Sequence, residues 1–301
     1  MPEEMRLIIV SGLSGSGKSV ALHVLEDLGY YCIDNLPVAL LESLLDELTS
    51  PSDQPIARVA VGVDARSPQH DIESLPGVIT ELRKKKILTD ILFLKTSDDV
   101  LLRRYSESRR RHPLSDQGQE LRTAIARERQ LLGQIINVAD LIIDTTHSSV
   151  YELADIIRDR VDRRHTNSLS VLIESFGFKN GIPADADFVF DLRCLPNPYW
   201  QPDLRPLTGL DASVAEFLDT NDLFQSMYED ILAFLVTWIP RYVSFNRGYL
   251  TIGIGCTGGQ HRSVRMTEKL AAELKKTHDP VLTRHIELDP KNAASTQASS
   301  A

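Results

Sequence analysis

Short apolar runs alternate with longer stretches of helical periodicity through the first half of the chain. The runs are Leu7–Val10, Tyr30–Ile33, Val59–Val63, Ile91–Leu94 and Leu141–Ile143. They are continuous in their apolarity, the pattern of strands buried on both faces. After the first run, Val20, Leu22, Val24, Leu25 and Leu28 recur at helical spacing. Strand and helix in regular alternation predict a parallel sheet, so this half reads as one α/β domain. It closes in the charged segment Arg158–His165, and Thr166, Asn167 and Ser168 place a boundary near 164–168.

Strand signals restart at Leu169–Ile173, Phe188–Phe190 and Leu250–Ile254. The connection Leu195–Leu207 carries Pro196, Pro198, Pro202 and Pro206, which excludes regular helix or central strand there. Helical periodicity returns over Leu223–Trp238 and Val264–Lys276. The expected organisation is a parallel-sheet α/β domain over 1–165 and a second, smaller α/β domain over 166–288. Residues 289–301 are small and polar and are expected to be a disordered tail.

Composition adds limits rather than an identity. The chain has 301 residues, 42% of them hydrophobic and 25% charged, which suits two ordinary globular domains. Its formal net charge of −9 excludes a whole-surface attraction to nucleic acid or anionic membrane, so any such contact needs a local patch. Cys32, Cys194 and Cys256 are too few and too scattered for a disulfide framework or a zinc site. The longest apolar stretch, Ile231–Ile239, is about half of what a membrane span needs. No export signal is visible, and a cytoplasmic location is expected.

Gly12-Leu13-Ser14-Gly15-Ser16-Gly17-Lys18-Ser19 matches G-x-x-x-x-G-K-[ST] in full, between a strand signal and a helix signal. Glycines let backbone N–H groups wrap a phosphate, and Lys18 brings a cation to the β/γ-phosphates. The Ser19 hydroxyl is a candidate Mg²⁺ ligand, and the helix adds its positive end. Asp64, closing the run Val59–Val63, is placed to hold the metal's water shell. Lys18 and Asp64 are thus the candidate catalytic residues. Asp34, closing Tyr30–Ile33, competes for metal or base work, as in small-molecule kinases. Arg103, Arg104, Arg109, Arg110 and Arg111 set against Glu107 give +4 and suit a lid over phosphates. A solvated helix face explains the same residues. Arg83-Lys84-Lys85-Lys86 reads as a solvated helix end.

A second anion loop follows Leu250–Ile254. Cys256, Thr257, Gly258, Gly259, His261, Arg262 and Ser263 form a Gly-rich turn running into a helix. The spacing also satisfies C-x₅-R-[ST], the loop of cysteine-dependent phosphatases, in which a thiolate attacks phosphorus. Recognition of phosphate without covalent chemistry is the preferred reading over a phosphatase or a structural turn.

With both loops in view, the sequence resembles the RapZ family of P-loop nucleotide-binding proteins, also called the YvcJ or YhbJ family. The resemblance runs from about Leu7 to His285 and rests on Ser11–Ser19, Tyr31–Pro37, Asp64–Ser67 and Arg103–Tyr105. It continues through His112–Leu114, Glu174–Lys179, Leu195–Pro198 and Gly255–Ser263. It implies a kinase-like P-loop half that binds ATP and GTP and hydrolyses them slowly, with Mg²⁺. Gly12–Ser19 would be the ATP loop, and Asp64, Ala65, Arg66 and Ser67 the GTP motif. It further implies a carboxyl-terminal domain sensing a hexosamine phosphate, a homo-oligomer, and, in enterobacterial relatives, an RNA-binding adapter for a ribonuclease. The adapters finish in a Lys/Arg cluster. Here, over 279–301, Arg284 and Lys291 face Asp279, Glu287 and Asp289, a balance of −1. Tyr199 stands where those adapters have His.

Overall fold

The computed structural model describes residues 5–49, 56–108, 111–115, 120–162, 169–245 and 247–288. The boundary expected at 164–168, the tail 289–301, Arg109 and Arg110 lie outside them. The chain divides into two compact units, Met1–Asp162 and Arg163–Ala301.

The first unit runs β1 (Arg6–Gly12), α1 (Lys18–Asp27), β2 (Tyr31–Ile33), α2 (Leu41–Thr49), β3 (Arg58–Gly62) and α3 (Gln69–Lys84). It continues with β4 (Leu88–Lys95), α4 (Asp98–Ser108), α5 (Leu121–Leu131), α6 (Gly133–Asn137), β5 (Leu141–Asp144) and α7 (Val150–Ile157). The strands form one parallel sheet in the order β2-β3-β1-β4-β5. β1 pairs on both edges, and Leu7, Ile8, Ile9 and Val10 are all buried. That double burial is why the run carries no polar alternation. From β1 the chain fills one side with β2 and β3, then crosses to β4 and β5. The carboxyl end of β1 is therefore a topological switch point, where open α/β sheets bind ligands.

The second unit runs β6 (Ser170–Gly177), β7 (Phe188–Asp191), α8 (Ala212–Asp219), α9 (Asp222–Ser244), β8 (Tyr249–Cys256), α10 (Arg262–Leu274) and β9 (Val281–His285). Its sheet is also parallel, in the order β7-β8-β6-β9. Phe224, Ile231, Leu235 and Ile239 bury one face of α9 against Ile252, Ile254 and Leu270. That packing carries α9 through Pro240 to Ser244, beyond the end its periodicity predicts. In Leu195–Leu207 the one helical element is a 3₁₀ turn at Pro198–Trp200, as the prolines require.

The apolar pattern misses β9, because after Val281 and Leu282 its residues are polar; the strand is held by its ladder to β6, by Val281 in the core and by His285 at its end. The His285 ring meets Ser175 Oγ of β6 at 2.8 Å through Nδ1 and Glu268 Oε1 of α10 at 3.1 Å through Nε2. In the first unit α7 begins with a reciprocal cap. The Glu152 N–H donates to Ser149 Oγ, and the Ser149 N–H donates to the Glu152 carboxylate. Ser149→Ala should cost about 1 kcal/mol of stability, the usual worth of such a cap. Urea unfolding checks it, and an unchanged midpoint would refute the role of the cap.

Candidate functional site

The loop between β1 and α1 turns on three glycines with positive φ: Gly12 at 143°, Gly15 at 90° and Gly17 at 111°. At Gly12 a Cβ would sit 2.2 Å from the Leu94 carbonyl oxygen, so no other residue fits beside β4. The carbonyls of the loop are taken from outside. Lys18 Nζ donates to Gly12 O at 2.8 Å, Arg104 Nη1 to Gly15 O at 2.9 Å and Thr145 Oγ1 to Ser16 O at 2.9 Å. Arg104 also holds Thr145 O at 2.8 Å through Nη2. Three bonded carbonyls fix the loop; of its N–H groups, Leu13 donates to Leu94 O at 3.2 Å, Ser14 to Glu128 at 2.9 Å and Ser16 to Leu13 O at 2.9 Å, so an anion would draw on the others. α1 follows with Gly17 at its N-cap, no side-chain cap and no acid in its first turn, so its positive end stays uncompensated.

β3 brings the partner acid. Asp64 is buried, and its Oδ2 lies 3.9 Å from Lys18 Nζ. Arg66 grips both its oxygens, with Nε at 3.0 Å from each and Nη2 at 2.8 Å from Oδ2. The two expected nucleotide motifs, 12–19 and 64–67, thus meet at Lys18. Burial raises the Asp64 carboxyl, but Arg66 and Lys18 outweigh it and hold it below the usual carboxylate range. Burial lowers Lys18 from the ordinary lysine value, although the charges of Asp64 and Glu128 oppose it. Asp34 stands half-exposed, 3.7 Å from Arg66 Nη2.

Among the described residues no three His, Cys, Asp or Glu side chains cluster as a metal site. Ser19 is exposed on α1, and Asp64 has both oxygens on Arg66. This donor set fits Mg²⁺ carried in on phosphates and met through water, rather than an all-protein cage.

A cavity of about 510 Å³ opens beside the loop, lined by Gly15, Gly17, Arg103, Arg104, Thr145 and Leu153 among others. Its volume suits a small-molecule ligand. Arg103 and Arg104 of the basic cluster therefore belong to this site. Thr145 and Leu153 carried no signal in the sequence, being ordinary residues that the sheet delivers from β5 and α7.

Sequence reasoning also passed over a buried group on the far side of the loop. Glu128 of α5, with no exposed surface, accepts from the Ser14 N–H at 2.9 Å and from Ser14 Oγ at 2.6 Å. His112, equally buried, meets its Oε2 at 3.1 Å. Burial alone would raise the Glu128 carboxyl, but the bonds from His112 and Ser14 and the Lys18 charge hold it below the usual range.

In the second unit, the turn after β8 packs backbone to backbone on β6. A Cβ on Gly177 would lie 2.8 Å from the Gly258 carbonyl carbon. Cys256 is buried, with Sγ accepting from the Gly259 N–H at 3.2 Å and lying 3.2 Å from Ser263 Oγ. Arg262 does not stand free over the turn. Nη1 donates to the carbonyls of Leu195 at 2.8 Å, Arg193 at 3.2 Å and Leu192 at 3.4 Å, and Nη2 reaches Thr257 Oγ1 at 3.3 Å. Its buried Nε keeps no partner. Burial lowers the His261 ring below its ordinary value, against carbonyl contacts from Leu204, Arg205 and Leu207. Tyr199 is half-exposed, with Arg205 stacked 4.8 Å from its ring centroid.

Comparison with known proteins follows this division. Residues 5–165 match the RapZ-like N-terminal domain and residues 169–289 the RapZ C-terminal domain. A nucleotide-binding protein of Thioalkalivibrio sulfidiphilus is 50% identical over 285 residues, covering 94% of this chain and 100% of that one. Another, from Ectopseudomonas mendocina, is 50% identical over 284 residues, with the same coverage of 94% and 100%. Among solved structures, a shikimate kinase from Acinetobacter baumannii is 20% identical with a TM-score of 0.35, over 52% of this chain and 92% of that one. A sugar kinase from Janibacter is 17% identical with a TM-score of 0.34, over 52% and 95%. No helix among the described residues is long and apolar enough to cross a membrane. On both domain matches and the full-length relatives, this chain belongs to the RapZ family of nucleotide-binding proteins.

Proposed function

We propose that the first unit binds ATP and GTP on Gly12–Ser19 and hydrolyses them slowly, and that the second unit takes a phosphorylated metabolite. The observation that carries the first part is the loop itself. Its carbonyls are bonded away, its N–H groups precede an uncapped helix, and Lys18 lies between Gly12 O and Asp64. Phosphates would take the N–H groups and Lys18, and the base would enter the cavity beside Arg103 and Arg104. Mg²⁺ would supply charge neutralisation at the β- and γ-oxygens, with Ser19 and Asp64 as the residues facing it. Asp64–Ser67, beside Lys18, would serve the same bound nucleotide rather than a second one.

Lys18→Ala should nearly abolish ATP and GTP binding, a loss of about 3 kcal/mol or more for a charge-assisted contact. Calorimetry on the full chain reads it, and equal affinities in the two proteins would defeat the phosphate-loop reading. Hydrolysis should need Mg²⁺, and Asp64→Asn should depress it more than Asp34→Asn does. The reverse order would favour a small-molecule kinase with Asp34 as the base.

For the second unit we infer recognition of a hexosamine phosphate without covalent chemistry. Cys256 spends its sulfur on Gly259 and Ser263 inside the turn, a structural use of a thiol. Arg262 offers an unpartnered Nε at the start of α10, where N–H groups and the helix dipole favour an anion. Arg262→Ala should weaken glucosamine 6-phosphate binding by about 1.5–3 kcal/mol, and Cys256→Ser should leave it nearly unchanged. Phosphate release that disappears in Cys256→Ser would reinstate the phosphatase.

A further inference from the structure

Ser14 is a member of the phosphate loop, yet its N–H already holds an anion. Glu128 Oε2 takes that N–H at 2.9 Å, and Oε1 takes the Ser14 hydroxyl at 2.6 Å. The position is set from behind by His112. The His112 Nδ1 accepts from the Leu114 N–H at 3.1 Å, so in this network the ring proton sits on Nε2. Nε2 then donates to Glu128 Oε2 at 3.1 Å. A neutral imidazole orients the carboxylate without cancelling its charge.

Lys18, on the same loop as Ser14, feels the Glu128 charge at longer range, without an ion pair between them. Its charge helps hold the Glu128 carboxyl low, and Glu128 in return opposes the lowering of Lys18. Lys18 therefore stands in the field of two carboxylates, Asp64 and Glu128. The two differ in kind. Asp64 is gripped by Arg66 and would face the Mg²⁺ carried by a bound nucleotide, which would offset it. Glu128 is wholly buried and bonded to two neutral partners. Sites that transfer or tightly clamp a terminal phosphate surround it with cations. A fixed carboxylate against the same loop does the opposite.

We propose that Glu128 is a specificity-determining residue of the nucleotide site, a resident anion that disfavours a third phosphate relative to a second. The proposal rests on the reading that Gly12–Ser19 holds the phosphates. A terminal γ-phosphate adds negative charge to a loop where Lys18 is already shared and the Ser14 N–H is already held by an anion. A diphosphate escapes that added repulsion. Discrimination is then a difference of two affinities, generated by repulsion rather than by an added contact.

The test is calorimetric titration of the full chain with ADP, ATP, GDP and GTP in the presence of Mg²⁺. Glu128→Gln keeps the side-chain shape and an oxygen for the Ser14 N–H while removing the charge. The triphosphate-to-diphosphate affinity ratio should rise by about three- to tenfold, as expected for one nearby charge in a screened site. Diphosphate affinity should rise as well, but by less than triphosphate affinity, because the diphosphate carries less charge. A parallel weakening of both nucleotides would mean that Glu128 only braces the loop, and would overturn the proposal. So would an unchanged or falling ratio. If Glu128→Gln fails to fold, Glu128→Met removes the charge at similar length, and the ratio should again rise; a constant ratio there overturns the idea equally. Lys18→Ala is run alongside. Nucleotide binding that survives it would defeat the phosphate-loop reading itself, whatever Glu128 does.

Discussion

A buried ammonium governs the first unit. Lys18 is largely out of solvent, on the first residue of α1, with its Nζ on the Gly12 carbonyl and Asp64 Oδ2 at 3.9 Å. An isolated charge in that position would be costly, and an unpaired lysine would shed its proton. The surrounding chain answers it. β3 ends in Asp64, α5 brings Glu128, and the loop folds back so that its own carbonyl faces the cation. The Asp64 answer requires the parallel sheet, because β3 beside β1 brings the segment after its carboxyl end to the phosphate loop.

The two Gly-rich turns share a grammar and differ in what fills them. Both join the end of a buried parallel strand to a helix lacking a side-chain cap and an acid in its first turn. In the first, Lys18, Arg104 and Thr145 bind the loop carbonyls, and Leu13, Ser14 and Ser16 spend their N–H groups on Leu94, Glu128 and Leu13. In the second, Cys256 sulfur already accepts the Gly259 N–H, and Arg262 ties down the carbonyls of Leu192, Arg193 and Leu195. The second turn is thus held by its own side chains. An anion there would meet Nε of Arg262 and the remaining N–H groups, a narrower opening than the C-x₅-R spacing suggests.

Much of this was legible because it is local. Unbroken apolar runs mark β1, β3, β4 and β5 to within a few residues, since interior strands are mostly apolar, and the run for β4 starts late because Thr89 and Asp90 are buried at its start. The loop Gly12–Ser19 was legible because its glycines and lysine are consecutive. What escaped has other causes. β9 offers only Val281 and Leu282 to an apolar pattern; its ladder to β6 and the contacts of His285 with Ser175 and Glu268 leave no such signal. α9 continues through Pro240 because Phe224, Ile231, Leu235 and Ile239 anchor the rest of the helix. Glu128 meets Ser14 across 114 positions, and on α5 it looks like any surface glutamate among arginines. Long-range electrostatic pairing leaves no spacing in the sequence to read.

The same contrast between local and global charge decides how an acidic chain attracts an anionic ligand. At −9 overall the protein repels nucleotides at a distance, but that field fades over a Debye length of about 8 Å at physiological salt. Against that field the first unit sets Lys18, Arg66, Arg103 and Arg104 together with the uncapped end of α1, the local positive charge of the proposed phosphate loop. Bulk charge therefore excluded only a broad basic surface and said nothing about a recessed site. Inside the site, single groups carry weight because they are buried and poorly screened. The sign of one residue beside the loop then matters more than the sign of the whole molecule.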